Sequence, residues 1–547
     1  MRKHSFIQTR VQPMATTALL LLLLMACAPT TTPVRALADA NFLQVQGNQI
    51  VTAHGAPVYL RGVNMDTYYY SYTWDPLAAQ RYATQADIEY LASLGVNAIR
   101  LGLHWRYFDT TLGFDLIDDY LAWCESAGIY VILDMHVVPP EDDILQGEIW
   151  DNPAAQQQLI DLWVQIATRY ANNTTLAGYD LYNEPAPPTA AEWWALAARI
   201  ATAIRSADTN HILFVENPLI ADNALQLLND PNVVYSFHDY TPFAVSHASA
   251  GWVGDSPVPS DYTYPGDVLE SLEWANWAQD APEFTGQTTQ WQQWDSGTLT
   301  VPAGVEFATL KPSTWGNTGS VWFDDLQMWH NNQPQSVWNG DLETASNADE
   351  TQPANWFFWS DTGFTGAWSN QHAHSGTRSL SIVSDGDGYA MWGQSNSIFT
   401  APLIRVQPGD TLQARGWILA PENAGGGINI GFDYLNGIYA HYDRARLQAD
   451  MQPFIDWGIQ NNVPLFVGEF GAMAAAPGDS RPNLVRDKIS VMNTANLHWA
   501  LWTYRDLSPL GFGVYHDTEL DETLATVLRQ ALVKPSAALY LPLIIGQ

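Results

Sequence analysis

The sequence predicts an α/β protein, a (β/α)8 TIM barrel interrupted after its sixth strand by an all-β domain. Three observations lead there. From Val58 onward, apolar runs of strand length alternate with helix-like segments, the pattern of a parallel sheet covered by helices. Eight such runs can be placed, the number that closes this kind of barrel. The sixth and seventh are separated by more than two hundred residues, and the stretch between them, about 268–437, lacks long amphipathic helices and is rich in Gly, Asn, Asp, Thr and Trp.

The expected strands cover 58–63, 97–103, 130–136, 176–183, 211–216, 233–240, 465–469 and 498–502. Their apolar character is nearly continuous, as befits strands buried on both faces. Thr84 can cap a helix through Ile88, Leu91 and Leu94 that stops at Gly95. Cys124 falls in a helix-like stretch, 116–126, as a small core hydrophobe. Pro153 opens another helix, whose apolar face is Leu159, Leu162, Trp163, Ile166 and Tyr170. Helical periodicity resumes near Tyr442, through Leu447, Met451, Phe454, Ile455 and Trp457, and supplies the sixth helix. Between lie short alternating runs such as 320–323 and 379–383, which read as a β-sandwich or jelly roll. Fourteen of the chain's 24 tryptophans lie from Trp252 to Trp417, within or beside this stretch.

Bulk properties narrow the partners. A formal net charge of −34 argues against nucleic acid and anionic membrane surfaces, and leaves neutral polysaccharide compatible. Arg2, Lys3 and Arg10 precede an apolar stretch, 18–26, too short to span a bilayer and right for an export signal. Leu24-Met25-Ala26-Cys27 is similar to a bacterial lipobox, whose cysteine is acylated; the alternative is cleavage within 36–40. The expected layout is a signal over 1–27, a tether over 28–40, barrel over 41–267, inserted β-sandwich over 268–437, barrel again over 438–535, and a tail over 536–547. An exported monomer is expected, secreted or held at the cell envelope, touching membrane only through a lipid on Cys27. With Cys27 and Cys124 alone, no disulfide framework exists.

The chemistry is carried by two runs that end in a carboxylate, Tyr179-Asp180-Leu181-Tyr182-Asn183-Glu184-Pro185 and Leu465-Phe466-Val467-Gly468-Glu469. Parallel strands deliver such residues to the C-terminal rim of a barrel. Paired carboxylates on opposite sides of a scissile bond are what glycoside hydrolysis needs, one as proton donor and one as nucleophile or base. A single glutamate ending a strand would most simply pair with a nearby arginine. Here other runs also end in residues suited to a sugar site: Arg100, His136, His238 with Tyr240, and Trp502.

Together these residues resemble glycoside hydrolase family 5, a family of cellulases and mannanases, over about 41–250 and 438–532. The resemblance implies that Glu184 is the acid/base, its pKa raised by burial or by the neighbouring carboxylate, and that Glu469 is the nucleophile, kept ionised by Arg100 and Tyr240. It implies that Asn183 binds the sugar 2-hydroxyl, that His136 and His238 bind substrate or orient the glutamates, and that Trp502 is the platform under the sugar. Carboxyl groups about 5 Å apart and a retained anomeric configuration would follow. One departure is Gly102, where the family often has proline. No metal or organic cofactor is expected. In the insert, 339–343, 376–380 and 406–411 resemble the opening half of a carbohydrate-binding jelly roll of the family 4/9 type. Segments 301–304 and 321–326 resemble its closing strands but come earlier, as in a circular permutation. Asp324 and Asp325 read as a solvated turn rather than a calcium site. The expected activity is an endo-β-1,4-glucanase acting on β-glucan. A β-mannanase, a mixed-linkage glucanase and a non-catalytic lipid-anchored glycan-binding protein are the alternatives.

Overall fold

The computed structural model describes residues 42–67, 81–145, 147–220, 223–253, 257–276, 281–346, 349–394 and 403–532. The export signal, Cys27, the tether and the C-terminal tail lie outside the described residues. Eight parallel strands close a barrel: β1 (Arg61–Asp66), β2 (Ala98–His104), β3 (Tyr130–Val137), β4 (Leu176–Asp180), β5 (Ile212–Glu216), β6 (Val233–His238), β7 (Leu465–Glu469) and β8 (His498–Leu501). Strand β1 begins three residues later than the sequence suggests, because Pro57–Val58 instead joins an antiparallel sheet with Gln44–Gln46 and Gln49–Val51.

Helices α1 (Gln85–Leu94), α2 (Leu112–Ala127), α3 (Pro153–Tyr170) and α4 (Ala190–Ala207) follow the first four strands. Thr84 and Asp87 form a reciprocal cap on α1, and Gly95 ends it at φ +95°, a left-handed conformation that favours glycine. Among the described residues no helix follows β5, so that unit departs from the expected eightfold repeat. Helices α5 (Arg444–Asn461), α6 (Ser480–Thr494) and α7 (Glu522–Leu532) complete the outer ring.

The strands change character as they rise. Low in the barrel an apolar plug of Leu43, Ile50, Leu60, Ala98, Ile132, Ala177, Phe214, Val234, Phe466 and Ala500 fills the interior. Because strand side chains alternate with period two, the same inward row two residues later carries Arg100 above Ala98, Asp134 above Ile132 and Ser236 above Val234. Another step up stand His136 and His238. The apolar plug keeps water out from below, and the polar layers form a floor open only at the C-terminal rim.

Between β6 and α5 the chain builds a sandwich of two antiparallel sheets. One orders Gly266–Asn276, Gly427–Tyr442, Phe307–Trp315, Tyr389–Gln394 and Trp356–Ser360. The other orders Gln292–Asp295, Thr411–Leu419, Thr318–His330, Ser379–Asp385 and Phe364–Ser369. Leu310, Val321, Phe323, Ile382, Trp392, Ile418, Ile430 and Phe432 pack between them. The first and last strands pair with each other, Gly266 opposite Tyr442, so the chain leaves and re-enters the barrel at neighbouring points. A further core joins the two bodies, with Tyr262, Val268, Leu269, Phe307 and Leu435 packed among Ala244, Val245, Leu447 and Leu484.

Candidate active site

All eight residues singled out from the sequence converge on the C-terminal rim, and Arg100 is their hub. It is 1% exposed and has carboxylates on three sides: Nε donates to Asp180 at 2.8 Å, Nη1 to Glu469 at 2.9 Å, and Nη2 stands 3.0 Å from Asp134. It also donates to Oδ1 of Asn64 at 3.1 Å and of Asn183 at 2.9 Å. The second contact fixes the amide of Asn183, whose Nδ2 is buried without a protein partner and so retains a donor to offer.

Glu469 ends β7 across a register shift between Val467 and Glu469 that sets it opposite His238. Gly468 is required there, since a Cβ would come within 2.9 Å of His238 Nε2 and Ser236 Oγ. One Glu469 oxygen accepts from Arg100 and the other from the Tyr240 hydroxyl at 2.8 Å. Glu184 faces it from the end of β4, at φ +48°, a strained conformation outside glycine. Its side chain is 16% exposed against 5% for Glu469, so Glu184 is the carboxylate that opens on the cleft. An oxygen of each lies within 4.8 Å of the other and of a His238 ring nitrogen. His136, hydrogen-bonded to Asp134 at 2.8 Å, stacks on Trp502 with ring centroids 5.3 Å apart and planes at 11°.

His238 ties the two glutamates together. Its Nδ1 is 2.9 Å from Glu184 Oε1 and 3.6 Å from Glu469 Oε2, while Nε2 is 3.0 Å from Glu216 Oε1. Burial disfavours its charge, but Glu216, Glu469 and the bond to Glu184 outweigh burial and hold its pKa well above the usual histidine value. His136 is likewise raised, to about 9, because Asp134 outweighs burial.

The expectation for Glu184 is corrected here. Burial alone would raise it, yet the hydrogen bond and charge of His238, with His136 and Arg100 behind, hold it below the ordinary glutamate value. Burial dominates at Glu469, which sits above its ordinary value with Glu184 adding repulsion, against the pull of His238 and Arg100. The ionised form of Glu184 and the charged form of His238 thus favour one another across their hydrogen bond. Burial and Glu469 keep Tyr240 protonated, so its hydroxyl can donate. Among the described residues Glu184, His238 and Glu469 are spaced closely enough for a cation. Both nitrogens of His238 face carboxylates.

Four participants were missed from sequence: Asn64, Asp134, Asp180 and Glu216. Glu216 carried the signal used for its neighbours, an apolar run stopping at a carboxylate. Asp134 and Asp180 were visible as charges inside otherwise apolar strands.

Residues 51–298 match the family model for cellulase, glycosyl hydrolase family 5. Over that stretch the barrel is a glycosyl hydrolase family 5 cellulase domain by its match. The matched part of this family 5 domain includes Glu184 and stops before Glu469, which barrel closure brings back. Curated relatives include a beta-xylosidase of Phanerodontia chrysosporium, 27% identical over 259 residues, 39% of this chain and 54% of that protein. Endoglucanase C of Acetivibrio thermocellus is 29% identical over 208 residues, 35% of this chain and 60% of that protein. An endoglucanase of Paenibacillus polymyxa is 27% identical over 364 residues, 55% of this chain and 87% of that protein. The chain thus spans between 54% and 60% of the length of the first two.

Proposed function

We propose that this protein is a retaining glycoside hydrolase, an endo-β-1,4-glucanase in which Glu469 attacks the anomeric carbon and Glu184 serves as acid and then base. The observation that carries this reading is the approach of the two glutamate carboxylates to within 4.8 Å, in the range of retaining enzymes and too close to seat the water of an inverting one. Arg100 and Tyr240 supply the donors that favour an ionised nucleophile. The donor left on Asn183 suits a sugar 2-hydroxyl, a contact that strengthens as oxocarbenium character develops. The endoglucanase relatives favour β-glucan over mannan. Hydrolysis of a β-1,4-glucan followed by proton NMR should release the β-anomer first. Initial α-anomer would end the retaining assignment, and turnover confined to galactomannan would replace glucan by mannan as substrate.

The same reading extends to the sandwich as a glycan-holding surface. On the face of its first sheet turned away from the sandwich core, Thr309, Lys311, Ser313, Asn429 and Asp433 form a polar strip that is itself only 1–3% exposed, with Asn429 Nδ2 and Tyr389 Oη buried and unpartnered. Trp274, 36% exposed, and Trp359, 45% exposed, stand beside it. Polar donors between indole walls are the chemistry of a sugar groove. Trp274→Ala combined with Asn429→Ala should weaken binding to insoluble glucan at least tenfold while leaving hydrolysis of soluble glucan unchanged. Undiminished binding by that variant would remove the sandwich from substrate capture.

A further inference from the structure

Behind the paired glutamates stands a third, Glu216, at the end of β5. It is 1% exposed and does two things at once. Oε2 accepts the backbone N–H of Glu184 at 2.9 Å, pinning the residue whose φ of +48° needs an external hold. Oε1 lies 3.0 Å from Nε2 of His238, whose other nitrogen is 2.9 Å from Glu184 Oε1. One carboxylate therefore governs both the backbone and the proton partner of Glu184. We propose that Glu216 is a positioning residue that keeps the reactive proton on the His238–Glu184 pair, making the three a proton reservoir for the reaction.

The inference rests on the glycosidase reading above. In the first half-reaction the Nδ1 proton of His238 moves to Glu184, and Glu184 passes it to the glycosidic oxygen. That oxygen keeps the electron pair of the breaking C–O bond, while Glu469 forms the new bond to the anomeric carbon. His238 is left neutral with its remaining proton on Nε2, 3.0 Å from the charged Glu216 Oε1. In the second half-reaction water oxygen bonds to the anomeric carbon as the carbon–Glu469 bond breaks and its electron pair returns to the carboxylate, while Glu184 takes the water's proton and returns it to Nδ1, restoring the starting state. The groups facing His238 are Glu184 from β4, Glu216 from β5 and Glu469 from β7. Arg100 and His136 lie farther off across the floor, and Asp239 behind it is paired with Lys488 of α6 at 2.7 Å. Glu216 is the one carboxylate of the three on His238 that neither bonds the sugar nor protonates it.

The sign follows from the charge. The proton on His238 is present below its raised pKa and lost above it, so the alkaline limb of activity reports this reservoir. Glu216→Gln keeps a carbonyl for the Glu184 N–H and removes the charge facing Nε2. The variant should remain folded and show its alkaline limb lowered by about 1 pH unit or more, with KM little changed. An aryl glycoside whose phenol leaves without protonation should show no such shift. NMR titration of the His238 ring in the free protein gives a readout independent of turnover. A lowered His238 titration with the shifted limb supports the proposal; an unchanged His238 titration, or activity lost equally at every pH with both substrates, overturns it. A lowered His238 titration in the variant, with a wild-type protein that hydrolyses no glycoside, would overturn the glycosidase reading instead, and the reservoir's catalytic role with it.

Discussion

Glu469→Gln should abolish turnover, lowering kcat by on the order of 10^4-fold or more while the barrel stays folded, because no other carboxylate can reach the anomeric carbon from that side. The amide is nearly isosteric, and its carbonyl can still accept from Arg100 Nη1 while its NH2 takes the place of the oxygen that accepted from Tyr240, so its main effect is on chemistry rather than packing. The comparison that assigns roles is with Glu184→Gln. Removing a general acid costs about 10^2–10^4-fold on a substrate whose leaving group needs a proton. With an activated aryl glycoside the Glu184 variant should still form its glycosyl-enzyme, seen as a burst of phenol, whereas the Glu469 variant should give none. A burst from the Glu469 variant and none from the Glu184 variant would exchange the two roles.

Arg100→Met should be the most destabilising single change in the site. The guanidinium makes five close contacts, three of them to Asp134, Asp180 and Glu469. Removing it leaves three carboxylates in a layer closed from below by the apolar plug, and breaking a buried pair in this way costs about 3–5 kcal/mol. Asp180 already titrates near 7 with the arginine present, because burial outweighs Arg100's pull. Without Arg100, both Asp180 and Glu469 rise further. A group whose folded pKa is raised lowers stability progressively as pH climbs from its unfolded value through its folded one. The deficit of the variant, measured by urea unfolding, should therefore be largest near pH 8 and shrink toward pH 4. A deficit independent of pH would place the loss in packing alone. Lysine should not rescue, since one ammonium cannot reproduce a planar fork of donors serving five acceptors.

Much of this was legible in the chain itself. Runs of buried-strand length fixed the eight strands to within a few residues, and the residues ending them named Arg100, His136, Asn183, Glu184, His238, Tyr240, Glu469 and Trp502. Cap and stop signals around Thr84 and Gly95 were equally local. Such features depend on residue type and period alone, so they survive without knowledge of neighbours. The missing helix after β5 was not legible, because one absent element does not disturb the pattern of the others.

The ionisation of the site was misread for a related reason. A sequence shows that a glutamate will be buried, and burial by itself raises a carboxyl group. What reverses the sign at Glu184 is a histidine from another strand, whose charged form is favoured by Glu216 and Glu469 as well as by Glu184 itself. Arg100 and Glu469, 369 residues apart along the chain, meet at 2.9 Å by the same closure. The sequence by itself determined which groups reach the rim, since strand period and strand length are local properties. Tertiary structure alone decided which of them touch, and so where each proton and charge resides, because electrostatic coupling depends on distances of a few ångströms that only the closed barrel sets.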